Sequence, residues 1–421
     1  MTSFSSCCPA DGLAWIDALA PERPDVFVTP PMPGVAASGL AGLWPVAEWR
    51  LETGGGLEGL KAFCDASAGP ALGFLSYQAG FPGLGVARRP TAFPEGVFRT
   101  YGAVLAPSPD ARSVTVHAAT PGLRDAALRL VSGARRSPAP PLPALHAPRP
   151  SMDREAYAAA VRCAREHILD GDAYQLNLSI RFDADWPAGS DPQALFTGLL
   201  ARRPAMFYGM YHDAPYTLLS TSPERFLRVR GGMVLAQPIK GTRLAGADPV
   251  AAARALRASA KEDAELSMIV DLMRNDISGR CAYGSVSVEG HRSVFLVDGL
   301  LQMYANVSGA LRPDADALDL LWDALPPGSV TGCPKARAVE LIADLEPHHR
   351  DAYCGCLVLR LGPRDLDSSV AIRTACHDAT SGTLGFFAGS GIVVDSDPHL
   401  EYEETMAKAA KFLALARRNT P

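Results

Sequence analysis

The chain has 421 residues, room for one large domain or two to three average ones, and its 48% hydrophobic and 20% charged content is that of a globular protein with a sizeable core. A formal net charge of -5 and the lack of a basic stripe speak against nucleic acid as a partner. The first residues lack a basic-then-apolar leader, no apolar run reaches the ~18 residues of a membrane span, and nine cysteines without zinc-site spacing read as free thiols of a reducing, cytoplasmic protein. Residues 1–132 read as a β-rich region. Ala71–Tyr77 is a strand followed by the loop Gln78–Gly83, and Val97–Leu105 pairs with Ser113–Ala118 as a hairpin through Pro107-Ser108-Pro109-Asp110. Residues 133–150 are proline-rich and basic, a surface linker in which no core forms. Residues 151–421 carry the chemistry-bearing motifs.

That region opens with a helix capped by Ser151 or Asp153, with Tyr157, Val161, Ala164 and Ile168 at helical spacing and a stop at Asp170-Gly171-Asp172. Ala173–Phe182 reads as a strand, and Tyr216–Ser222 with Arg225–Val229 as a hairpin around Pro223-Glu224. The buried strand Met233–Ala236 breaks at Pro238, and Gly241 permits a tight turn. Lys240 lies between those two breakers. A lysine partly desolvated there loses its proton more readily and becomes a nucleophile; an ordinary surface turn carrying Lys240 and Arg243 is the plain alternative. Gly241 leaves space for a ligand, and Thr242 offers a hydroxyl.

Lys261–Ile277 is a helix with Leu266, Ile269, Val270 and Met273 buried, and Glu262 and Glu265 one turn apart on one face. The last helix repeats the device. Asp397 caps it, Pro398 takes its first position, Glu401 and Glu404 stand three apart, and Arg417-Arg418 close it. Four carboxylates without thiol or imidazole suit a hard dication, Mg2+ first; acidic first turns on solvated faces are the alternative. Two backbone cradles for an anion are Gly328–Lys335, with Thr331 and Gly332, and Gly389-Ser390-Gly391; a helix cap and a hairpin turn are the plain readings. Arg373 in Val370–Thr374 is a cation in a strand-like run, fit for a carboxylate. Glu224 is the candidate acid/base.

Together these motifs resemble the chorismate-utilising enzymes: anthranilate and aminodeoxychorismate synthase component I, and the isochorismate and salicylate synthases. The resemblance rests on Tyr174–Ser179, Ser220–Phe226, Pro238–Arg243, Met268–Asp276, Gly328–Lys335, Gly389–Val393 and Glu401–Thr405, in the family's order. It implies a single large α/β chorismate-binding domain, two packed antiparallel sheets with outer helices and the active site between them. It also implies that Glu262, Glu265, Glu401 and Glu404 hold Mg2+. Tyr353 and Arg373 would hold the enolpyruvyl carboxylate. Thr242, Gly241, Thr331, Gly332, Gly389, Ser390, Gly391 and Lys408 would complete the substrate site.

Within the family, a lysine at the place of Lys240 resembles the aminodeoxychorismate branch, where anthranilate synthases carry alanine. That branch implies attack by Lys240 on C2 of chorismate, protonation of the leaving C4 hydroxyl by Glu224, and entry of ammonia at C4 to give 4-amino-4-deoxychorismate for p-aminobenzoate and folate. It implies a glutamine amidotransferase subunit as ammonia source, since no amidotransferase nucleophile motif is evident, and a separate lyase, since nothing follows residue 421. The chain departs from the family at Gln302, where a histidine is frequent; a neutral amide does not shuttle protons, which speaks against pyruvate elimination to anthranilate. Anthranilate or isochorismate formation and a silent binding subunit remain the alternatives.

Overall fold

The computed structural model describes residues 4–32, 35–67, 69–132, 134, 139–203, 205–297 and 299–416, apart from the side chains of Ala147 and Thr242. The strands among them are β1 (Phe4–Pro9), β2 (Asp25–Thr29), β3 (Ser38–Arg50), β4 (Ala71–Leu75), β5 (Gly96–Pro107), β6 (Ser113–Ala118), β7 (His146–Pro150), β8 (Gln175–Asp185), β9 (Phe207–Asp213), β10 (Tyr216–Ser222), β11 (Arg225–Arg230), β12 (Met233–Ala236), β13 (Ile239–Leu244), β14 (Ser287–Val297), β15 (Leu300–Ala310), β16 (Gly332–Cys333), β17 (Cys356–Gly362), β18 (Asp365–Val370), β19 (Thr374–Asp378) and β20 (Thr383–Ile392). The helices are α1 (Trp15–Ala18), α2 (Gly56–Ala66), α3 (Pro121–Val131), α4 (Arg154–Leu169), α5 (Pro192–Arg202), α6 (Pro249–Arg257), α7 (Ala260–Ser278), α8 (Ala317–Ala324), α9 (Lys335–Leu345) and α10 (Pro398–Leu413). None of these helices is long and apolar enough to cross a membrane.

The strand ladders are antiparallel and continuous, and they fold over at two long strands. The first part of β3 pairs with β2 and the second part of β5 with β6, whereas the first part of β5 pairs with β4. The register between β3 and β5 slips between Pro45 and Ala47, next to Trp44 at φ 56°, and that bulge bends the ladder. One half runs β8–β20–β19–β10–β9–β2–β3; the other runs β5–β4–β17–β18–β11–β12–β15. Between the halves lies an apolar layer that includes Phe27, Phe74, Phe207, Tyr211 and Leu357. The outer faces bury two further cores, one under α4, α5 and α10, the other under α2, α7 and α8. The expected architecture of packed antiparallel sheets with helices outside is therefore what the chain adopts.

Several elements match their sequence signals. Asp153 caps α4 by accepting from the Ala156 amide, and Asp397 caps α10, whose first residue is Pro398. The β5–β6 hairpin forms as expected. The cysteines form no disulfide.

Other readings are corrected. Tyr216–Ser222 and Arg225–Val229 are not a hairpin: β10 pairs with β9 and β19, β11 with β12 and β18, so Pro223-Glu224 crosses from one half of the sheet to the other. The stretch after Pro238 is not a turn but β13, paired with β15 and bulged at Gly241. In β12 only Val234 and Ala236 are buried, and Met233 faces solvent. The proline-rich segment does reach a core: Leu145 is fully buried, its amide donates to the Leu415 carbonyl at 2.8 Å, and β7 joins the edge of β8. The Arg417-Arg418 pair lies outside the described residues.

Candidate active site

Two crossings between the halves run side by side. The first is Pro223-Glu224, between β10 and β11. The second is Ala371-Ile372-Arg373, between β18 and β19. They are tied together: the Val370 amide donates to the Glu224 carbonyl at 3.1 Å, and both the amide and the hydroxyl of Thr221 donate to the Arg373 carbonyl, at 3.1 and 3.0 Å. Those bonds hold Arg373 at φ 51°, a left-handed conformation that a non-glycine residue adopts only when its surroundings over-determine it. Arg373 is thus a residue of a crossing rather than of a strand, and its placement brings it to the same cavity wall as Glu224.

Glu224 is 4% exposed, buried in the crossing rather than facing solvent from a turn. Burial pushes its carboxyl up to about 7, against the opposing effects of a 2.6 Å hydrogen bond donated by Ser329 and the nearby Lys240 ammonium. A carboxyl tuned there is able to give or take a proton near neutrality.

Lys240 projects from β13 into the cavity. Burial holds its ammonium below the usual lysine range, with Lys408 acting in the same direction and Glu265 and Glu224 against it. The bulge that aims Lys240 depends on Gly241, which sits at φ 70°; a Cβ there would also come within 2.8 Å of Glu262 Oε2. Lys240 in turn depends on Gly391. A Cβ at that position would stand 2.8 Å from Lys240 Nζ. Gly389-Ser390-Gly391 is no hairpin turn but the C-terminal part of β20, paired with Ser179, Leu178 and Asn177 of β8. Its glycines strip one face of the strand so that lysines can lie against it.

Glu262 and Glu265 lie near the start of α7, Glu401 and Glu404 near the start of α10, and all four line the cavity. The two helix N-termini favour anions there. Lys261 holds the pairs together, 3.8 Å from Glu265 and 3.6 Å from Glu401, while Lys408 reaches Glu404 at 2.7 Å and donates to the Gly389 carbonyl at 3.0 Å. Burial, then the charges of Glu265 and Glu404, push Glu262 up to about 7; burial also raises Glu265, while Lys408 lowers Glu404. Among the described residues no three His, Cys, Asp or Glu side chains close into a metal cluster. The donor set nevertheless fits a hard dication: all oxygen, anionic and mutually repelling around one cavity.

A pH dependence follows. Between the ordinary glutamate value of 4.5 and about 7, the folded chain keeps a proton on Glu262 that the unfolded chain has lost, so this group's contribution to stability falls as pH rises through that window. A dication that needs the ionised form offsets that loss. Added Mg2+ is expected to raise the melting temperature by about 3 °C or more above neutrality and by less than about 1 °C near pH 5.5. Scanning fluorimetry at both pH values checks this, and a shift equal at both, or retained by Glu262→Gln, would rule out a dication held by these glutamates.

Tyr353 is buried and stacks on Phe387 at 5.0 Å with 7° between the rings, forming the apolar wall beside Arg373. Three expected site residues lie outside the cavity lining. The Thr331 hydroxyl donates to the Pro327 carbonyl at 2.9 Å and its amide to that of Gly328 at 3.2 Å, so that amide is not free for an anion. Gly332 pairs with Leu176 in β16. The Ser390 hydroxyl meets that of Tyr157 at 2.9 Å in the core under α4. The side chain of Thr242 lies outside the described residues.

The family profile for chorismate binding enzyme matches residues 48–414, most of the chain. The chain belongs to that family. Relatives of this chorismate binding enzyme include anthranilate synthase component 1 of Streptomyces coelicolor, 32% identical over 99% of the chain and 86% of the relative. Aminodeoxychorismate synthase component 1 of Klebsiella aerogenes is 40% identical over 63% of the chain and 58% of the relative. The match spans about half the length (51%) of another relative, the Haloferax volcanii anthranilate synthase component 1. Among solved structures, anthranilate synthase component I of Streptococcus pneumoniae superposes with a TM-score of 0.75 at 26% identity, covering 98% of this chain and 92% of that one.

In this chorismate binding enzyme, sequence reasoning did not give Lys261 or Ser329 a role. Both stood in segments already singled out, Lys261 next to Glu262 and Ser329 inside the Gly328–Lys335 stretch. A lysine beside a buried acidic pair and a hydroxyl in a glycine turn were the available signals. Asn177 and Gln302 also line the cavity. Asn177 belongs to the Tyr174–Ser179 motif, whose inward-facing amides carried no assigned role.

Proposed function

We propose that the chain is the chorismate-aminating component of an aminodeoxychorismate synthase. The observation that carries the reading is the amine of Lys240, kept below its usual proton affinity inside a cavity that it shares with Glu224, a carboxyl near neutrality. Lys240 in its neutral form would attack C2 of chorismate as both conjugated ring double bonds shift, C1=C2 to C1=C6 and C5=C6 to C4=C5, and the C4–O bond breaks. Glu224 would give its proton to the departing hydroxyl, which leaves as water. Ammonia would then bond to C4, the C2–N bond to Lys240 would break, and the lysine would leave as a free amine. Splitting one hard substitution into two is the gain that a covalent nucleophile offers.

Arg373 and Tyr353 would hold the enolpyruvyl carboxylate, the arginine by charge-assisted bonds and the tyrosine by closing the apolar wall. Glu262, Glu265, Glu401 and Glu404 would hold Mg2+, which when bound neutralises the ring carboxylate. The neutral amide of Gln302 offers no proton relay for pyruvate loss, which favours a product that keeps its enolpyruvyl group. The ammonia source would be a glutamine amidotransferase subunit, and a separate lyase would carry the product on to p-aminobenzoate for folate.

The test is product identity. The purified chain, chorismate, Mg2+ and concentrated ammonium salt should yield an aminated chorismate by mass that becomes p-aminobenzoate only when a lyase is added. Anthranilate would keep the family and change the reaction, isochorismate would exclude amination, and no turnover even with an amidotransferase would favour a binding subunit.

A further inference from the structure

Two of the sequence motifs meet in one buried ion pair: Asp276 ends Met268–Asp276, and Lys335 ends Gly328–Lys335. Lys335 Nζ donates to both carboxylate oxygens of Asp276 and to the Ala324 carbonyl, all at 2.9 Å, so its three hydrogens are all taken. The lysine and aspartate side chains are 9% and 8% exposed. Apolar residues of similar volume often serve stability as well as a buried ion pair, so the pair is read here for the geometry that it specifies. Ala324 is the last residue of α8 and Lys335 the first of α9, while Asp276 lies near the end of α7, the helix that carries Glu262 and Glu265 near its start. Lys335 therefore buckles the connection 325–334 end to end and fastens it to α7.

Within the buckle the chain folds tightly. The Val330 amide and the Thr331 hydroxyl donate to the Pro327 carbonyl, at 3.3 and 2.9 Å, and Arg350 donates to the Val330 carbonyl at 3.0 Å. Gly328 lies so close to α7 that a Cβ there would come within 2.5 Å of Leu272 Cδ2. The side chain that this loop delivers is Ser329, 5% exposed, whose hydroxyl donates to Glu224 Oε1 at 2.6 Å. An oxygen that accepts from a hydroxyl is the carbonyl oxygen of a protonated carboxyl, so this bond leaves the Glu224 proton on Oε2. It also fixes the rotation of the carboxyl, and with it the direction in which the proton is offered.

We propose that Asp276 and Lys335 are positioning residues for the acid: their pair holds Ser329 against Glu224 and so aims the proton that Glu224 gives to the leaving hydroxyl. The inference rests on that one step of the proposed reaction. Neither Asp276 nor Lys335 lines the cavity, so both act through Ser329 rather than on the substrate.

The test uses the full chain with Mg2+ and saturating ammonium salt, following chorismate consumption and identifying products by mass. Ser329→Ala and Lys335→Met are each expected to lower kcat about tenfold or more, while the KM for chorismate moves by less than about twofold. The variant carrying both changes should be within about twofold of the slower single one, because both break the same bond. A kcat near wild type in either single variant, or losses that multiply in the double, would overturn the proposal; multiplied losses are what a merely loosened fold gives. Lys335→Met strands no charge. Burial already pushes the Asp276 carboxyl up to about 6 beside the ammonium, and without that ammonium it takes a proton. If Lys335→Met does not fold, Asp276→Asn with Lys335→Met, which keeps no ionisable group there, decides by the same readout. Wild-type products separate the two readings. Aminated chorismate from wild type with unmoved kcat in Lys335→Met defeats the positioning pair alone. An unaminated wild-type product, with kcat still lost in Lys335→Met, defeats the amination reading and leaves the pair standing.

Discussion

Lys240→Ala is expected to lower kcat/KM for amination of chorismate by at least about 10³-fold while the melting temperature stays within about 3 °C of wild type. The two halves of that expectation have separate causes. The rate falls because no other amine is placed to bond to the substrate: Lys261 and Lys408 are engaged by Glu401 and Glu404. Stability is kept because the ladder of β13 on β15 is made by the backbone, and because removing a desolvated ammonium removes a cost as well as contacts. Lys240→Arg separates charge from nucleophilicity, since a guanidinium keeps the charge without a reactive lone pair. It should be as inactive as the alanine variant. Steady-state assay by product mass checks both, and aminated output near wild type from either would exclude covalent catalysis by this residue.

The largest expected stability effect lies under the cavity. Arg350 is 4% exposed and Glu346 6%, and they pair at 2.7 Å. The guanidinium also donates to the carbonyls of Val330 and Asn177 and lies 4.7 Å over the ring of Tyr77, and Glu346 accepts from the amide and hydroxyl of Ser179, both at 2.8 Å. One residue thus ties the Gly328–Lys335 turn, β8 and α9 together. Arg350→Met leaves the Glu346 charge buried and uncompensated, which costs about 3–5 kcal/mol and lowers the melting temperature by on the order of 10 °C. Adding Glu346→Gln should recover part of that loss, because the cost is that of the orphaned charge. Calorimetry of the single and double variants checks it. A double variant no more stable than Arg350→Met would assign the loss to the carbonyl contacts instead.

What could be read from the sequence and what could not divide along a physical line. Helices whose signals are local were legible: the cap at Asp397 with Pro398, and the buried stripe Leu266, Ile269, Val270 and Met273 with its acidic pair. The gathering of polar side chains was legible too, since Lys240 and the four glutamates, singled out by residue type, line one cavity. Pairing was not. Tyr216–Ser222 and Arg225–Val229 look like a hairpin because they are neighbours with a proline between them, yet their partners come from residues 207–213, 365–370 and 374–378. Nothing local distinguishes a turn from a crossing. Leu145 was hidden by its prolines for the same reason, its burial being decided by Leu415 just past the end of α10. Ser390 and Thr331 were legible as motif members but not as to facing, which is set by strand register.

The ladders that make the cavity join distant parts of the chain: Leu176 bonds beside Ile392, and Leu75 beside Cys356. During synthesis β8 emerges long before β20 exists, so that edge stays open until β20 has left the ribosome. Contacts of such sequence separation make folding slow and leave unpaired edges exposed to neighbouring nascent chains. Glu401 and Glu404 of α10 are made after Glu262 and Glu265 of α7, so the two acidic pairs meet only once both helices exist. The enzyme is then expected to depend on chaperones at high expression, and the lag between completed synthesis and first activity measures the closing of β20 and α10.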